Sequence, residues 1–492
     1  MKLFFPISFL AAVGVLSGCA SYEDDAQKLR AEWARGNFAA AAAVAGTALE
    51  EADGNDRLLW QMERASTLRA LGNAEEASSA FEAAAGTLAH WNETPEILLS
   101  REALAGLTNL SALPYRGRGS DAVMLHAYRA LSFLEAGNSD SARVALNAAY
   151  QAQRDAVERN AENIENARKE ARENAVDVSA ALESSGLDKQ LAQQEKDLAG
   201  VRVLADYVNP FATWLHGVYF LHAGTDGADA ERARVSLSRV AAMYPKNEYV
   251  AADLQIASRG VPARDEALTY VVFESGLAPI LGTVRTDTML PIPIGNGNVT
   301  LMPVSIALPK LVLSDARKYW GVFPLVSGRY SQGSAEPEPV PALSANGAPA
   351  LEICDMNSVV RTEFDNAFPS VLVRTIVPAV LKSAASAAAN AAALEYARRD
   401  GSAGSAIVAL ATIAASSVYT YASSGADVRC WQTLPQNFSV ARVKTPASRR
   451  VSVRVGGRSR DVALLPGKVN LVCVKTTSEG GPLVVTQSVL RE

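Results

Sequence analysis

A glycine followed at fixed distances by small residues recurs three times in this chain, and no other feature constrains the fold as tightly. After Gly72, residues Ala74, Ala77, Phe81 and Ala84 fall at offsets of two, five, nine and twelve. Phe38, Ala41, Ala45 and Ala48 repeat those offsets after Gly36, and Ser139, Ala142, Leu146 and Ala149 repeat them after Gly137. Steps of three and four place such residues on one face of a helix. Alanine on that face lets a second helix approach closely, and the glycine supplies the turn before it. The stretch from Ala65 to Ala85 therefore reads as two antiparallel helices joined at Gly72-Asn73.

A fourth copy fits Phe211 to Pro245, where Ala233, Leu237 and Val240 keep the spacing and Gly224 to Asp229 lengthens the turn. One such pair cannot bury its apolar face alone, so several must stack. The alternative is a plain helical bundle with an alanine-rich core, but recurrence in register favours the stack. The skeletons Gly36-Phe38-Ala41, Gly72-Ala77-Phe81 and Gly137-Ala142-Leu146 resemble the tetratricopeptide family, with its period of about 34 residues. That resemblance implies a scaffold whose concave face receives a peptide or another protein.

The amino terminus addresses the chain to a compartment. Lys2 precedes an apolar run from Leu3 to Leu16, too short for the roughly 20 residues of a membrane span and suited to a signal peptide. Leu16-Ser17-Gly18-Cys19 resembles the bacterial lipobox. The resemblance implies cleavage after residue 18 and acylation of Cys19 (palmitate among the chains). Ala20, in place of aspartate, resembles lipoproteins sorted to the outer membrane, facing the periplasm. Asp24-Asp25 would belong to a solvated tether. Beyond Cys19 remain Cys354, Cys430 and Cys473, an odd number in an oxidising compartment. They are read as one bridge with a leftover thiol or as three buried thiols.

Residues 150–200 are charged on nearly every helical turn, with Glu162, Glu165, Lys169 and Glu170 spaced for ion pairs along a helix. This is either a projecting helical hairpin or a disordered insertion, and the hairpin is favoured. Composition shifts near Gly260. The expected order is then α+β: a signal peptide over 1–18, an all-α helical repeat domain over 19–260 with its charged arm at 150–200, and a β-rich domain over 261–492 with one or two inserted helices. Leu268 to Phe273 reads as a strand, and Leu290 to Leu311 as an irregular hairpin around Gly295-Asn296-Gly297-Asn298. Residues 331–349 read as a proline-rich surface loop, and Met356 to Tyr396 as helix interrupted by Pro369 and Pro378. Phe438 to Leu490 holds several strands of a small sandwich. Gly401 to Ala426 carries no charge. A helix docked against an internal partner is the first reading, and a segment dipping into membrane is the second.

Chemistry is sparse. Of four histidines, His216 and His222 lie on different helix faces, and none sits in a zinc-binding motif. Gly-x-Ser-x-Gly is absent, and Gly467-Lys468 lacks a preceding phosphate loop. No catalytic residue, metal ligand or cofactor site is nominated, and the chain is read as a non-enzyme. A net charge of -5 gives no reason to expect nucleic acid as a partner.

Stretches in both halves resemble a family of bacterial tetratricopeptide-like lipoproteins. In the first half they are Tyr115 and His126 to Leu131. In the second they are Val272 to Ile280, Ala307-Leu308-Pro309, Asp355-Met356-Asn357, Glu363-Phe364 and, above all, Ala426-Asp427-Val428-Arg429-Cys430-Trp431-Gln432-Thr433-Leu434-Pro435. The resemblance implies an envelope role without an assigned enzymatic activity. Asp427, Arg429 and Trp431 alternate as on one face of a strand, and Pro435 turns the chain after them. They read first as a polar clip in which Asp427 and Arg429 pair over the Trp431 indole. A ligand site there is the sharper alternative. The functional expectation is a lipid-anchored scaffold binding an envelope protein through its repeats. The alternative is a peptidoglycan- or glycan-binding module in the β-rich half, using Trp431.

Overall fold

A computed structural model of the chain describes residues 17–93, 113–205, 207–260, 267–293, 299–313, 343–478 and 480–492. The expected signal peptide, apart from its last two residues, the expected hairpin turn at 294–298 and most of the proline-rich stretch (331–342) lie outside the described residues.

The repeat is built on a Gly-Asn dipeptide. Helices α1 (Ser17–Ala34) and α2 (Phe38–Glu51), α3 (Arg57–Ala70) and α4 (Ala74–Glu93), and α5 (Gly119–Glu135) and α6 (Ser139–Glu173) each join at one. Gly36, Gly72 and Gly137 have φ of 75°, 83° and 77°, which glycine adopts without the Cβ penalty. Each closes the preceding helix with two backbone bonds, as in Gly72 N–H to Arg69 O at 3.0 Å and Asn73 N–H to Leu68 O at 3.1 Å. Asn37 and Asn138 then cap the following helix by accepting from Ala40 N–H and Ser141 N–H. Behind the glycines, Phe38, Ala41, Ala77, Phe81, Ala142 and Leu146 are all buried. Helices α7 (Val178–Ser185) and α8 (Leu187–Leu198) follow, then α9 (Pro210–Ala223) and α10 (Gly227–Met243), which form the fourth pair, with Asp226 as its cap, and α11 (Glu248–Ala257).

The first helices of the later pairs are buried nearly all round. In α3 every residue from Leu58 to Ala70 except Arg64 is buried, and in α9 every residue from Pro210 to His222 is. One side meets the outer helices; the other meets the β-rich half. A five-stranded sheet runs β11–β10–β1–β7–β6, with β1 (Leu268–Ser275) parallel to β10 (Val469–Thr476) and antiparallel to β7 (Asn437–Lys444). The edge strands are β6 (Leu351–Asp355) and β11 (Val484–Arg491). Tyr270, Val272, Leu471 and Cys473 join the core of the helices. The alternate residues Val271, Phe273, Val472 and Val474 face a second sheet of β5 (Ala348–Pro349), β4 (Leu343–Ala345), β8 (Arg450–Val455) and β9 (Arg458–Ala463). A strand covered on both faces loses polar alternation, which is why LTYVVFES and VNLVCVKT are almost continuously apolar.

A peripheral body stands beside this stack. The hairpin of β2 (Ile280–Pro293) and β3 (Val299–Val312) packs against α7, α8 and helix α12 (Met356–Asp400) through Leu187, Leu290, Met302, Val304, Ile306 and Ile376. The far end of α6 joins it through Ala167. All four hairpin prolines fall in alternate pairs: Thr283 with Pro309, Met289 with Pro303, Pro291 with Leu301, Pro293 with Val299. Those pairs share one hydrogen-bonding class, so each missing N–H lies on an outer edge, where it blunts pairing with another strand.

Several expectations change. The charged arm does not project freely, because Ala167, Ala181 and Leu187 hold it to the peripheral body. Pro369 and Pro378 do not interrupt α12, which runs unbroken. Residues 343–349 form the β4–β5 hairpin instead of loop. Asp24 and Asp25 belong to α1, not a tether. The sheet fills the inner face of the repeats, so the two halves are not separate domains. Among the described residues the uncharged α13 (Ala403–Ala422) packs on α12 and the edge of the hairpin, and Ile407 and Leu410 are each 66% exposed.

Two glycines of equal backbone geometry separate local from tertiary effects. A Cβ at Gly72 meets nothing within 4 Å, whereas at Gly36 it collides with the ring of Pro482. Gly72→Ala should cost only the left-handed backbone, about 1–2 kcal/mol. Gly36→Ala should cost clearly more, read from urea midpoints. Equal losses would show that the Pro482 contact is not rigid.

Candidate functional site

Residues 425–436 take an irregular path across the inner face of the repeats, although Asp427, Arg429 and Trp431 were expected to alternate on a strand. Asp427 receives Arg429 Nε at 2.9 Å and Nη2 at 2.8 Å, a two-point pair. Arg429 also donates to Asp56 at 2.9 Å and to Leu113 O at 2.9 Å. The ring beneath its guanidinium is that of Tyr115, 5.5 Å away, not that of Trp431. Burial alone would raise the Asp427 carboxyl, but the Arg429 charge overrides it and holds it below the usual range.

The next residues are gripped by side chains of the helices. Tyr22 OH donates to Cys430 O and accepts from Cys430 N–H, both at 3.2 Å. Trp431 lies buried beside Phe81 and Tyr128 and donates its indole N–H to Ser66 Oγ at 3.1 Å. Glu63 accepts from Gln432 N–H and, at 2.7 Å, from Thr433 Oγ1. Arg30 reaches Gln432 O at 3.1 Å and Ala278 O at 2.9 Å. This is how a helical groove holds an extended peptide, with the peptide supplied by the same chain. Pro435 follows, and Gln436 N–H donates to Ser275 O at 3.0 Å as the chain enters the sheet.

Beside the clip lies a buried quartet of charges. Arg69 donates to Glu274 at 2.7 Å and to Glu135 at 2.8 Å, and Lys475 pairs with Glu274 at 2.7 Å. Tyr128 OH adds a bond to Glu274 at 2.8 Å. Two cations and two anions from α3, α5, β1 and β10 thus neutralise one another between the halves. Burial opposes ionisation of Glu274, but Arg69 and Lys475 outweigh it and bring its pKa to about 2. Ser120 N–H donates to Glu363 of α12 at 3.1 Å, a third link.

Sequence reasoning found Asp427, Arg429, Trp431 and Pro435 but missed Tyr22, Arg30, Glu63, Ser66 and Arg69. Glu63, Ser66 and Arg69 lie in QMERASTLR, where the signal was a helix with polar residues on every side of a core position. Cys354, Cys430 and Cys473 are separate buried thiols. Burial lowers His126 and His216 to about 4, and His222 to about 3, keeping them neutral in the core. Among the described residues no cluster of His, Cys, Asp or Glu is arranged to hold a metal ion.

Glu63 generates a pH test. Burial raises its pKa from 4.5 to about 8, partly offset by the bonds from Gln432 and Thr433. A raised folded-state pKa gives stability that is complete below the unfolded value and is lost as pH climbs to the folded one. Unfolding free energy should therefore decline between pH 4.5 and about 8, by at most roughly 1.4 kcal/mol per unit from this residue. Glu63→Gln should flatten that slope in urea titrations at several pH values; an unchanged slope would remove Glu63 as its cause. Glu274→Gln should cost about 3–5 kcal/mol by leaving Arg69 and Lys475 undercompensated. Glu165→Gln on exposed α6 should lower the urea midpoint little.

Compared with protein-family models, with curated proteins and with solved structures, the chain matches none, so its reading rests on geometry and chemistry.

Proposed function

We propose that this protein is a lipid-anchored scaffold of the bacterial envelope, held by an acylated Cys19 at the outer membrane and facing the periplasm. Its partner is another envelope protein or a peptide, bound through the helical repeats. The observation that carries this reading is the placement of Cys19 itself. The residue lies in the first turn of α1, and Tyr22, three residues on, is already buried and bonded to Cys430. An acyl group there would couple the whole body to the membrane through about one helical turn.

The inner groove is occupied by residues 427–436. A partner is therefore left the outer row, α2, α4 and the first half of α6, or must displace that segment. Val144, 60% exposed on α6, belongs to this outer surface. The glycan reading loses its proposed contact, since Trp431 is only 2% exposed and its ring lies among Phe81 and Tyr128.

Cys19→Ala should abolish acylation and leave the precursor uncleaved at this bond, seen as a heavier band and by mass spectrometry of the amino-terminal peptide. Normal processing and firm membrane retention of that variant would defeat the anchor. Crosslinking from Val144→Cys should capture an envelope protein. Capture only from positions on the β-rich half would move the partner surface there.

A further inference from the structure

Helix α13 is amphipathic the wrong way round for water. Its 20 residues carry no charge and extend about 30 Å, the thickness of a bilayer core. Ser405, Ala409, Ser416 and Thr420 line the side towards α12. Across that seam Ser416 bonds to Asn390 at 3.0 Å, and Ser386 meets Thr420 at 3.3 Å. The seam on α12 is alanine, serine and asparagine from Ser383 to Ala393. Facing away from the protein, Ile407, Leu410, Ala411, Ala414, Val418 and Tyr421 recur at steps of three, four and seven, one stripe broken only by Ser417, whose hydroxyl bonds back to Ile413 O at 2.9 Å. Ile407, Leu410 and Val418 are each 66% exposed. Small residues and hydroxyls between helices, with branched apolar residues outside, are the arrangement of helix pairs in lipid.

The ends agree with this. At the base, Arg285 lies 3.6 Å from the Tyr421 ring centroid, and Lys382 Nζ donates to Ser423 O at 2.7 Å. Tyrosines 396, 419 and 421 stand at the two ends of the stripe, where aromatic rings favour a membrane interface. Charge returns only at the tip, where Arg399 pairs with Glu395 at 2.8 Å. The base also continues into the segment that Tyr22 grips, three residues from Cys19.

We propose that the hairpin of α12 and α13 is a second membrane contact, with its outer α13 face in the acyl layer of a phospholipid bilayer and Arg285 at the level of the phosphates. This rests on the envelope location proposed above but not on acylation. A second copy of the chain could also cover an apolar stripe, but it would not require the seam to be polar and the outside apolar.

The test uses the full chain with a polarity-sensitive fluorophore on Leu410→Cys, Val418→Cys or, as control, Val144→Cys; the three native thiols of the body are buried. Vesicles of phosphatidylethanolamine and phosphatidylglycerol carry nitroxide on the acyl chains. At positions 410 and 418 the emission should shift to the blue and be quenched several-fold more than at 144. No such quenching overturns the proposal, whether or not the protein floats with the vesicles. Shielding that grows with protein concentration, without quenching, also overturns it, in favour of a second copy. Mass spectrometry of the amino-terminal peptide reports the anchor separately, so the two readings fail independently.

Discussion

The two-sided burial of the inner helices is the constraint from which the rest of the architecture follows. A stack of helix pairs normally leaves its inner face to water or to a partner. Here that face carries Glu63, Ser66, Arg69, Tyr128 and Glu135, and all of them are enclosed by the β-rich half. Taking such charges out of water costs several kcal/mol each unless partners and hydrogen bonds compensate. The quartet of Arg69, Glu135, Glu274 and Lys475 compensates by adding to zero net charge, with Tyr128 and Thr486 filling further acceptor sites. A network of this kind adds less stability than an apolar core of the same volume would. What it favours is register, since Arg69 and Glu135 meet Glu274 and Lys475 at this placement of β1 and β10 against α3 and α5. The two halves of the sequence are therefore one folding problem, although composition divides them near residue 260.

This division of labour explains what was legible beforehand. The Gly-Asn turns and the alanine skeleton are local devices, so Gly36, Gly72 and Gly137 and the buried positions behind them could be read from spacing alone. The strands were visible because burial on both faces makes them continuously apolar. Polar residues on the inner helices were not singled out, because a sequence shows only that a residue is polar, and solvation is the usual reason. Glu63 and Arg69 have another reason, supplied by residues some two hundred to nearly four hundred positions away. The motif of Asp427, Arg429 and Trp431 was recognisable, but its role as an internal peptide was not, since its acceptors lie on α1, α3 and the segment before α5. The arm at 150–200 failed for the same cause: its few apolar residues, such as Ala167 and Leu187, are too sparse to announce a partner, yet they suffice to dock it.

The peripheral body shows two opposite treatments of uncovered surface. The two-stranded hairpin has long free edges, which would template pairing with another chain, and proline removes donors from both of them. Helix α13 presents a comparable length of apolar surface with no such protection. Ser416 and Thr420 are instead turned inwards, where Ser416 meets Asn390 and Thr420 meets Ser386, and the outer hydroxyls of Thr412 and Ser417 bond back to the helix's own carbonyls. A water-facing helix gains nothing from that inversion, because its hydroxyls would be solvated on the outside at no cost. Among the described residues the chain that guards its strand edges against association leaves this stripe uncovered, and the contrast makes an accidental patch a poor explanation.

Orientation then follows from the short path between the amino terminus and the hairpin. On the proposed anchoring, Cys19 stands about one helical turn, or 5 Å, from Tyr22. Tyr22 holds the backbone of Cys430, and Cys430 follows the end of α13 by eight residues. An anchor on a long flexible tether would leave the body free to turn, and a bare apolar helix would then have no preferred side. With α1 packed into the core through Leu29 and Trp33, the body cannot turn without unfolding its first helix. Acyl chains and apolar stripe would then enter the same bilayer. The outer row of α2, α4 and α6 would be held in a fixed pose toward the periplasm, which is the condition a scaffold needs to present one face to a partner.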